Sequence, residues 1–380
     1  MRDRVAQLFM QRFGVKPQVI SCAPGRIEVL GNHTDYNLGT TLSAAVDRSI
    51  WVALRLTLGE ECRVWDGDLK KGARFSVSSL SAFQKGDWSN YIKGILVALQ
   101  EKGVALSGFD MAILGDVPMS AGMSSSAAFE MSVLLALDKA KGTNLDWLTM
   151  AKLGQRCENE VIGAQTGLLD QFSSLRGRKD ALVYSDFRSL ECEPVPMPAG
   201  YAFVVVNSMV KHNLANEYTD RRRCCEAAAR ELGVACLREA RYHQLFVHRN
   251  HLDDHAFACA AHVLGEIARV EEGISLLRAG EMRAFGRLLW ESHESSRELF
   301  RNSCAELDRI VDLSRKNPAC LGARLSGGGF GGITIHLVEE KDAVRYAVEM
   351  SDAVVAAGGA NPQAFVCRTA DGAHCVNLTD

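Results

Sequence analysis

Residues 118–128, with the sequence Pro-Met-Ser-Ala-Gly-Met-Ser-Ser-Ser-Ala-Ala, constrain this chain more than any other stretch. They follow a strand-like segment, Gly108 to Leu114, and run into an apolar segment that predicts a buried helix to about Lys141. A glycine turn and three serines at a helix start combine free backbone N–H groups, hydroxyls and the positive end of the helix dipole. This order favours phosphate binding. A serine that merely caps a buried helix gives the same pattern, so the stretch alone leaves both interpretations open.

Two other glycine-rich patterns compete for the phosphate-binding role. The Walker pattern G-x-x-x-x-G-K-[ST] is absent, which argues against a P-loop NTPase. Gly327 to Gly332 satisfies G-x-G-x-x-G, but the β-branched, alternating segment Ile333 to Val338 follows it. A dinucleotide-binding fingerprint must open a helix instead, so the Rossmann interpretation fails on its context.

The length of 380 residues suits two domains with a ligand cleft between them. Strand-like segments dominate the first half and helix-period segments the second, which predicts an α+β fold. We place the domain boundary in the loop near Pro194 to Gly200, giving an N-terminal domain of residues 1–195 and a C-terminal domain of residues 196–380.

The charge and the N-terminal residues limit the possible partners and location. A formal net charge of −3, from 43 basic and 46 acidic residues, provides no field for non-specific binding to nucleic acid or an anionic membrane. No apolar segment is long enough to cross a bilayer, and Asp3 and Arg4 interrupt the place where a secretory signal would be apolar. We therefore expect a cytoplasmic protein. Its 12 cysteines are scattered without a C-x-x-C pair, which favours reduced thiols over a zinc site.

Three local patterns predict secondary structure that the fold can test. A strand ending near Cys22, a break at Ala23 to Gly25 and a second strand from Arg26 to Leu30 are expected at the start. A single helix is expected from Asp146 to about Val161, and a hairpin from Ala364 to Val376 is expected at the end.

Two sets of polar residues could carry chemistry. Glu158, on a helix, and Asp170, after a glycine-rich turn, could divide phosphoryl transfer, one holding a metal and the other receiving a hydroxyl proton. Arg26 offers a fork of donors for phosphate, and Asp35 offers acceptors for vicinal hydroxyls of a sugar. Taken singly, Glu158 and Asp170 are better explained as an ordinary surface carboxylate and an ordinary turn carboxylate. A salt bridge at a strand end can also explain Arg26 and Asp35.

Taken together, these segments resemble one family. PGRIEVLGNHTDYNLGTTLSAAVD (24–47) looks like the galactokinase signature of the GHMP small-molecule kinases, and GDVPMSAGMSSSAA (115–128) like that superfamily's ATP loop. ARLSGGGFGG (323–332) resembles its third motif, and segments 158–174, 210–226 and 292–296 are also similar to galactokinase segments. The similarity runs in order over nearly the whole chain.

The resemblance implies a two-domain GHMP kinase fold and an ATP- and Mg²⁺-dependent kinase that phosphorylates the anomeric hydroxyl of a sugar. Asp170 would act as catalytic base, with Arg26 stabilising the charge that develops during transfer. Ser126 and Glu158 match the positions that hold magnesium. Contacts to the sugar are expected from Asn32, His33, Asp35, Gly167 and Tyr218. Contacts to the nucleotide are expected from Gly122, Met123, Ser124, Ser125 and Ser126 on the phosphates and from Trp88 and Tyr91 around adenine. We expect a monomer whose partners are a small-molecule sugar and ATP.

Departures from the family pattern bear on the substrate. Asn32 stands where galactokinases have a Glu that is expected to accept a hydrogen bond from the hydroxyl on the sugar's sixth carbon. The Asn32 amide can both donate and accept a hydrogen bond. Because it carries no negative charge, it would not repel a sugar that bears a carboxylate. Ser43 and Thr166 replace a family Pro and Cys. Galactose is the first expectation, and a uronic acid or pentose, galacturonate or arabinose, is the alternative. A non-catalytic sugar and ATP sensor is disfavoured because Ser124 to Ala127 are intact.

Overall fold

The computed structural model describes residues 1–118, 122–210 and 214–376, and of residues 214–217 it describes the backbone alone. Residues 119–121, from the serine-rich stretch, and residues 211–213, from the galactokinase-like segment 210–226, therefore lie outside the described residues. Within the described ranges, no helix is long and apolar enough to span a membrane.

The strands form two sheets. In chain order they are β1 (Val19–Leu30), β2 (Thr40–Leu56), β3 (Glu61–Asp66), β4 (Lys71–Ser76), β5 (Phe109–Gly115), β6 (Ala181–Asp186), β7 (Glu191–Pro196), β8 (Tyr201–Asn207), β9 (Cys320–Ser326), β10 (Ile333–Glu339), β11 (Gln363–Cys367) and β12 (His374–Val376). An eight-stranded sheet has the order β12-β1-β2-β5-β3-β4, with β6 pairing with both β2 and β7. A four-stranded sheet has the order β11-β8-β10-β9. The grouping of strands and helices agrees with the predicted α+β class.

The helices cover both sheets. They are α1 (Arg2–Phe13), α2 (Asn90–Glu101), α3 (Ser125–Lys141), α4 (Trp147–Arg156), α5 (Leu169–Arg176), α6 (Leu214–Glu231), α7 (Tyr242–Val247), α8 (Asp254–Ala279), α9 (Met282–Glu294), α10 (Ala305–Ser314) and α11 (Ala343–Ala356). Helix α3 is buried on most faces, as its apolar sequence predicts, and packs with α2 on β1, β2 and β5. This packing holds the serine stretch against the sheet.

The start of the chain corrects one prediction. The strands expected on either side of Ala23 to Gly25 are one continuous strand, β1, with a register shift between Pro24 and Arg26. A bulge tolerates a proline inside a sheet, so the Pro-Gly pair bends β1 without ending it. Gly25 is needed there because a Cβ would lie 2.8 Å from the Met123 carbonyl oxygen.

Two further elements differ from the prediction. The expected helix to Val161 ends as α4 at Arg156 and continues as a π-helical turn, Cys157–Ile162, a local widening that is common at functional sites. The expected C-terminal hairpin is wrong, because β11 pairs with β8 in one sheet and β12 pairs with β1 in the other.

The predicted division of the chain falls between β7, which ends at Pro196, and β8, which begins at Tyr201. The strands from 201 to 367 belong to the four-stranded sheet, while β12 returns to the eight-stranded one. A division of the chain at residues 195 and 196 stays a prediction.

Candidate active site

A cavity of about 390 Å³ collects the residues that the sequence analysis assigned to the sugar and to catalysis. It lies where the loop after β1, the start of α3, the segment from the π-helical turn to α5, and the glycine-rich loop between β9 and β10 meet. The expected catalytic and sugar-binding residues that line it are Arg26, Asn32, His33, Asp35, Gly167, Asp170 and Tyr218.

Asp170 lies in the first turn of α5, where the helix dipole favours a negative charge. Arg26 donates from Nε to Asp170 Oδ1 at 2.8 Å, and its Nη2 lies 2.7 Å from the same oxygen. A third nitrogen of Arg26 donates to the Gly122 carbonyl oxygen. The other carboxylate oxygen accepts a hydrogen bond from the Ser124 hydroxyl. The carboxylate is therefore held in one orientation by two side chains, with 20 % of its side chain exposed to receive a substrate.

The serine stretch lies at the site as expected, but its residues occupy different positions there. Ser124 precedes α3 in the left-handed region at φ 52° and makes no side-chain cap, so its hydroxyl is free to bind Asp170. Gly122, Ser124, Ser125 and Ser126 line the cavity, whereas Met123 lines neither this cavity nor the adjacent one described below. Its side chain is fully buried and its carbonyl accepts the Arg26 N–H at 3.0 Å. The Met123 side chain therefore packs into the core, and a contact of this residue with the nucleotide stays a prediction.

Ser126 and Glu158 lie together, as the predicted metal site requires. The Ser126 hydroxyl donates to Glu158 Oε1 at 2.7 Å, while Glu158 Oε2 accepts from Thr166 at 2.7 Å and Gln171 at 3.1 Å. Burial raises the pKa of Glu158, and the charge of Asp170 raises it further. Neighbouring ligands of an octahedral Mg²⁺ with bonds of about 2.1 Å stand roughly 3 Å apart, so this pair of hard oxygen donors fits the ion.

A second cavity of about 370 Å³ adjoins the first. Its lining combines apolar and aromatic side chains, among them Trp88, Tyr91 and Phe129, with the three carboxylates of Asp66, Asp68 and Asp116. Tyr91, Ser125 and Ser126 line both cavities, so the two spaces meet at the beginning of α3. The two aromatic residues assigned to adenine thus line a space that meets the Asp170 cavity at the serines, which suits a nucleotide laid across the serine stretch.

The loop after β1 is fixed by aromatic contacts. His33 has φ 60°, and its Nε2 donates to the Gly328 carbonyl oxygen at 3.1 Å while its Nδ1 accepts from the Tyr36 hydroxyl at 2.9 Å. Burial lowers the pKa of His33 to about 3, so the imidazole is neutral at physiological pH. The Tyr218 ring from α6 lies 4.9 Å from the His33 ring, between ring centroids.

Asp35 lies against Gly167. A Cβ at position 167 would stand 1.8 Å from Asp35 Oδ2, so only glycine allows this approach. Burial raises the pKa of Asp35 to about 7, with Glu28 and Asp170 adding to the shift through their negative charges. The carboxylate is therefore poised to gain or lose a proton near neutral pH.

Asn32 lines the cavity, but its amide is fully engaged by the protein. Nδ2 donates to Glu28 Oε1 at 3.0 Å and to the Gly327 carbonyl oxygen at 2.9 Å, and Oδ1 accepts from Asn302 at 2.9 Å and Ser296 at 3.4 Å. The side chain is completely buried. Both amide protons have partners, so the expected direct contact of Asn32 with a sugar would require this network to open.

Sequence reasoning missed several residues that hold the site. Glu28, Thr166, Gln171 and Asn302 were not assigned a role, although each bonds to a predicted site residue. Glu28 had a local signal, because it lies two positions from Arg26 on a strand and so shares its face. Asn302 is 270 positions from Asn32 and left no such signal.

One thiol cluster lies behind the loop after β1. Ligand atoms of Cys224, His255 and Cys259 come within 4.8 Å of one another. The Arg221 guanidinium lies 3.0 Å from His255 Nε2, where it takes the lone pair and places a cation beside the cluster. Burial raises the pKa of the Cys224 thiol to about 11. These features favour protonated thiols in this cluster.

The fold and the site define a GHMP-type small-molecule kinase. The GHMP kinases N terminal domain matches residues 90–178, and the GHMP kinases C terminal domain matches residues 274–354. A crystal structure of mevalonate kinase shares this fold at 19 % identity, with a TM-score of 0.65 over 92 % of this chain and 98 % of that one.

More specific similarities identify the branch. The galactokinase galactose-binding signature matches residues 7–56. A galactokinase of Roseiflexus sp. (strain RS-1) is 38 % identical over 370 residues, which cover 96 % of this chain and 94 % of the relative, and one of Glaesserella parasuis serovar 5 (strain SH0165) is 36 % identical over 97 % of each. The crystal structure of Lactococcus lactis galactokinase complexed with galactose superposes with a TM-score of 0.93 at 27 % identity, covering 98 % of this chain and 99 % of that one. The chain belongs to the galactokinase family.

Proposed function

We propose that this protein transfers the γ-phosphoryl group of ATP to the anomeric hydroxyl of galactose, giving galactose 1-phosphate. The observation that carries the proposal is the position of Asp170. Arg26 and Ser124 hold its carboxylate in a polar cavity that meets an aromatic-lined cavity at Ser125 and Ser126. A base for the sugar hydroxyl and a cradle for nucleotide phosphates thus lie side by side. The galactokinase relatives, and the galactose bound to the Lactococcus lactis protein, support the choice of sugar.

The arrangement accounts for each part of the reaction. The anomeric oxygen attacks the γ-phosphorus, the bond between that phosphorus and the ADP oxygen breaks, and Asp170 accepts the hydroxyl proton. Arg26 keeps a positive charge beside the attacking oxygen and orients the carboxylate that receives the proton. Free N–H groups at the start of α3 bind the phosphates.

Ser126 and Glu158 would hold Mg²⁺, which supplies positive charge to the nucleotide phosphates when it is bound. Their side chains meet at 2.7 Å beside Ser125, so the ion's ligands and the phosphate cradle share one helix end. Thr166 and Gln171 donate to the second oxygen of Glu158 and fix its orientation.

The residues on the opposite side of the cavity would bind the sugar. Asp35 and the backbone at Gly167 would face ring hydroxyls, while neutral His33 and Tyr218 supply a rigid aromatic wall. Adenine would pack against Trp88 and Tyr91 in the second cavity. We further propose that the protein is monomeric and cytoplasmic.

A substrate panel tests the proposal. Purified protein with ATP and Mg²⁺ is assayed for ADP release on galactose, glucose, galacturonate and L-arabinose. Galactose is expected to give the highest kcat/KM. The Asp170→Asn variant, purified identically, controls for contaminating host kinases. No turnover on any sugar, or a higher kcat/KM on galacturonate than on galactose, would refute the assignment.

A further inference from the structure

The sugar cavity contains a buried carboxylate that the assigned site residues do not include. Glu28 lies on β1 two residues after Arg26, lines the same cavity and has 3 % of its surface exposed. Residues two apart on a strand point to the same face, roughly 6–7 Å apart. Arg26 holds Asp170 at the anomeric end of the cavity, so Glu28 lies one step further along the same wall, a distance comparable with the long dimension of a hexose ring.

The two oxygens of Glu28 have different surroundings. Oε1 accepts from Asn32 Nδ2 at 3.0 Å, and the Arg324 Nη2 lies 3.5 Å from it. No hydrogen bond among the described residues ends on Oε2. A carboxylate with one oxygen anchored by the protein and one left over is suited to accept a hydrogen bond from a ligand hydroxyl.

The guanidinium groups of Arg324 and Arg26 favour the charged form of Glu28, although burial and the charge of Glu266 leave its pKa raised. Arg324 is fully buried and lies between Glu28 and Glu266, while Arg269 donates to Glu266 at 2.7 Å. Two carboxylates thus face two guanidinium groups. Burial raises the pKa of Glu28, and Arg324 and Arg26 act against that rise. A buried charge that is paired in this way can persist.

Asn32 cannot readily take the same role. Both of its amide protons are donated, to Glu28 and to the Gly327 carbonyl, and its oxygen is held by Asn302 and Ser296. The hydrogen bond that Asn32 donates instead holds the Glu28 carboxylate in one orientation. The carboxylate expected of a galactokinase at position 32 is therefore present in this cavity, but it belongs to the residue four positions earlier.

We propose that Glu28 accepts a hydrogen bond from the hydroxyl on the sixth carbon of the sugar, and that Asn32 is the positioning residue that orients it. This inference rests on the proposed galactose kinase function. It also assigns the substrate class: a neutral hexose is bound, and a uronic acid is repelled because its carboxylate would face Glu28.

Replacing Glu28 by Gln tests the role with little change of shape. The readout is kcat/KM on galactose and on D-fucose, which is galactose without that one hydroxyl. Loss of a hydrogen bond to a charged group predicts a drop of at least about tenfold on galactose, mainly in KM, and less than about twofold on D-fucose. Galacturonate should become a better substrate relative to galactose. Equal losses on both neutral sugars, or no loss on galactose, would overturn the role of Glu28.

A swapped variant, Glu28→Asn with Asn32→Glu, keeps one carboxylate and one amide in the same network and guards against a folding failure of the single variant. Because position 28 then carries an amide, the preference for galactose over D-fucose should fall toward unity. A preference that stays within about threefold of the wild-type value would contradict the inference and place the contact at position 32. A wild-type protein inactive on galactose would refute the proposed function itself, whereas an active wild type with an unaffected Glu28→Gln variant would refute only the role of Glu28.

Discussion

Replacing Asp170 by Asn should abolish turnover while leaving the nucleotide site intact. The substitution keeps the shape of the side chain but removes the basic oxygen that receives the hydroxyl proton. A positioned general base contributes about 10²- to 10⁴-fold, so kcat should fall by that factor. Arg26 retains its bond to the Gly122 carbonyl, and the amide oxygen can still accept one of its N–H groups. The free energy of unfolding should therefore fall by only about 1–2 kcal/mol.

Three measurements separate chemistry from binding and folding. ADP release gives kcat, calorimetric titration gives ATP affinity, and chemical denaturation gives stability. Asp180→Asn is a matched control, because this carboxylate is exposed and occupies a left-handed turn at φ 59° that asparagine tolerates. It should match the wild type in all three. A kcat for Asp170→Asn within about tenfold of wild type would refute the assignment of the base.

Three further predictions concern the sugar, the metal and adenine. Because burial raises the pKa of Asp35 to about 7, galactose affinity should fall about tenfold per pH unit below 7, as this acceptor becomes protonated. The Asp35→Asn variant should lose this pH dependence in calorimetric titrations. A wild-type affinity that does not change with pH would contradict the prediction. Glu158→Gln should raise the Mg²⁺ concentration needed for half-maximal activity by about tenfold or more, and an unchanged requirement would exclude Glu158 as a ligand. Trp88→Ala should raise the KM for ATP roughly 5- to 100-fold and leave the KM for galactose unchanged, and the reverse pattern would place adenine elsewhere.

Local sequence patterns predicted the elements whose environment is local. The run of small and apolar residues from Ser125 to Lys141 predicted α3, including its last residue. A helix that is buried on most faces needs apolar residues at most positions, and its sequence shows this directly. The break at Ala23 to Gly25 was wrong because strand pairing with β2 outweighs the turn tendency of Pro-Gly. The C-terminal hairpin was wrong because two short strands carry no signal for the sheet that each one joins.

Motifs predicted the residues that line the site better than the residues that hold them in place. Arg26, Asp170, Ser126 and Glu158 meet as expected, since each lies within a recognisable segment. The network around Asn32 could not be predicted, because tertiary packing brings its partners from α8, from a second π-helical turn, Ser295–Phe300, and from the glycine-rich loop. That network is the basis of the proposed role of Asn32 as a support for Glu28.

Analysis of the product tests the central claim most directly. The protein is incubated with galactose, ATP and Mg²⁺, and the product is examined by phosphorus and carbon NMR. The account predicts a single sugar phosphate in which phosphorus couples to the anomeric carbon, formed in equal amount with ADP and absent with Asp170→Asn. Phosphate on any other oxygen of the sugar, or ADP formed without a sugar phosphate, would contradict it.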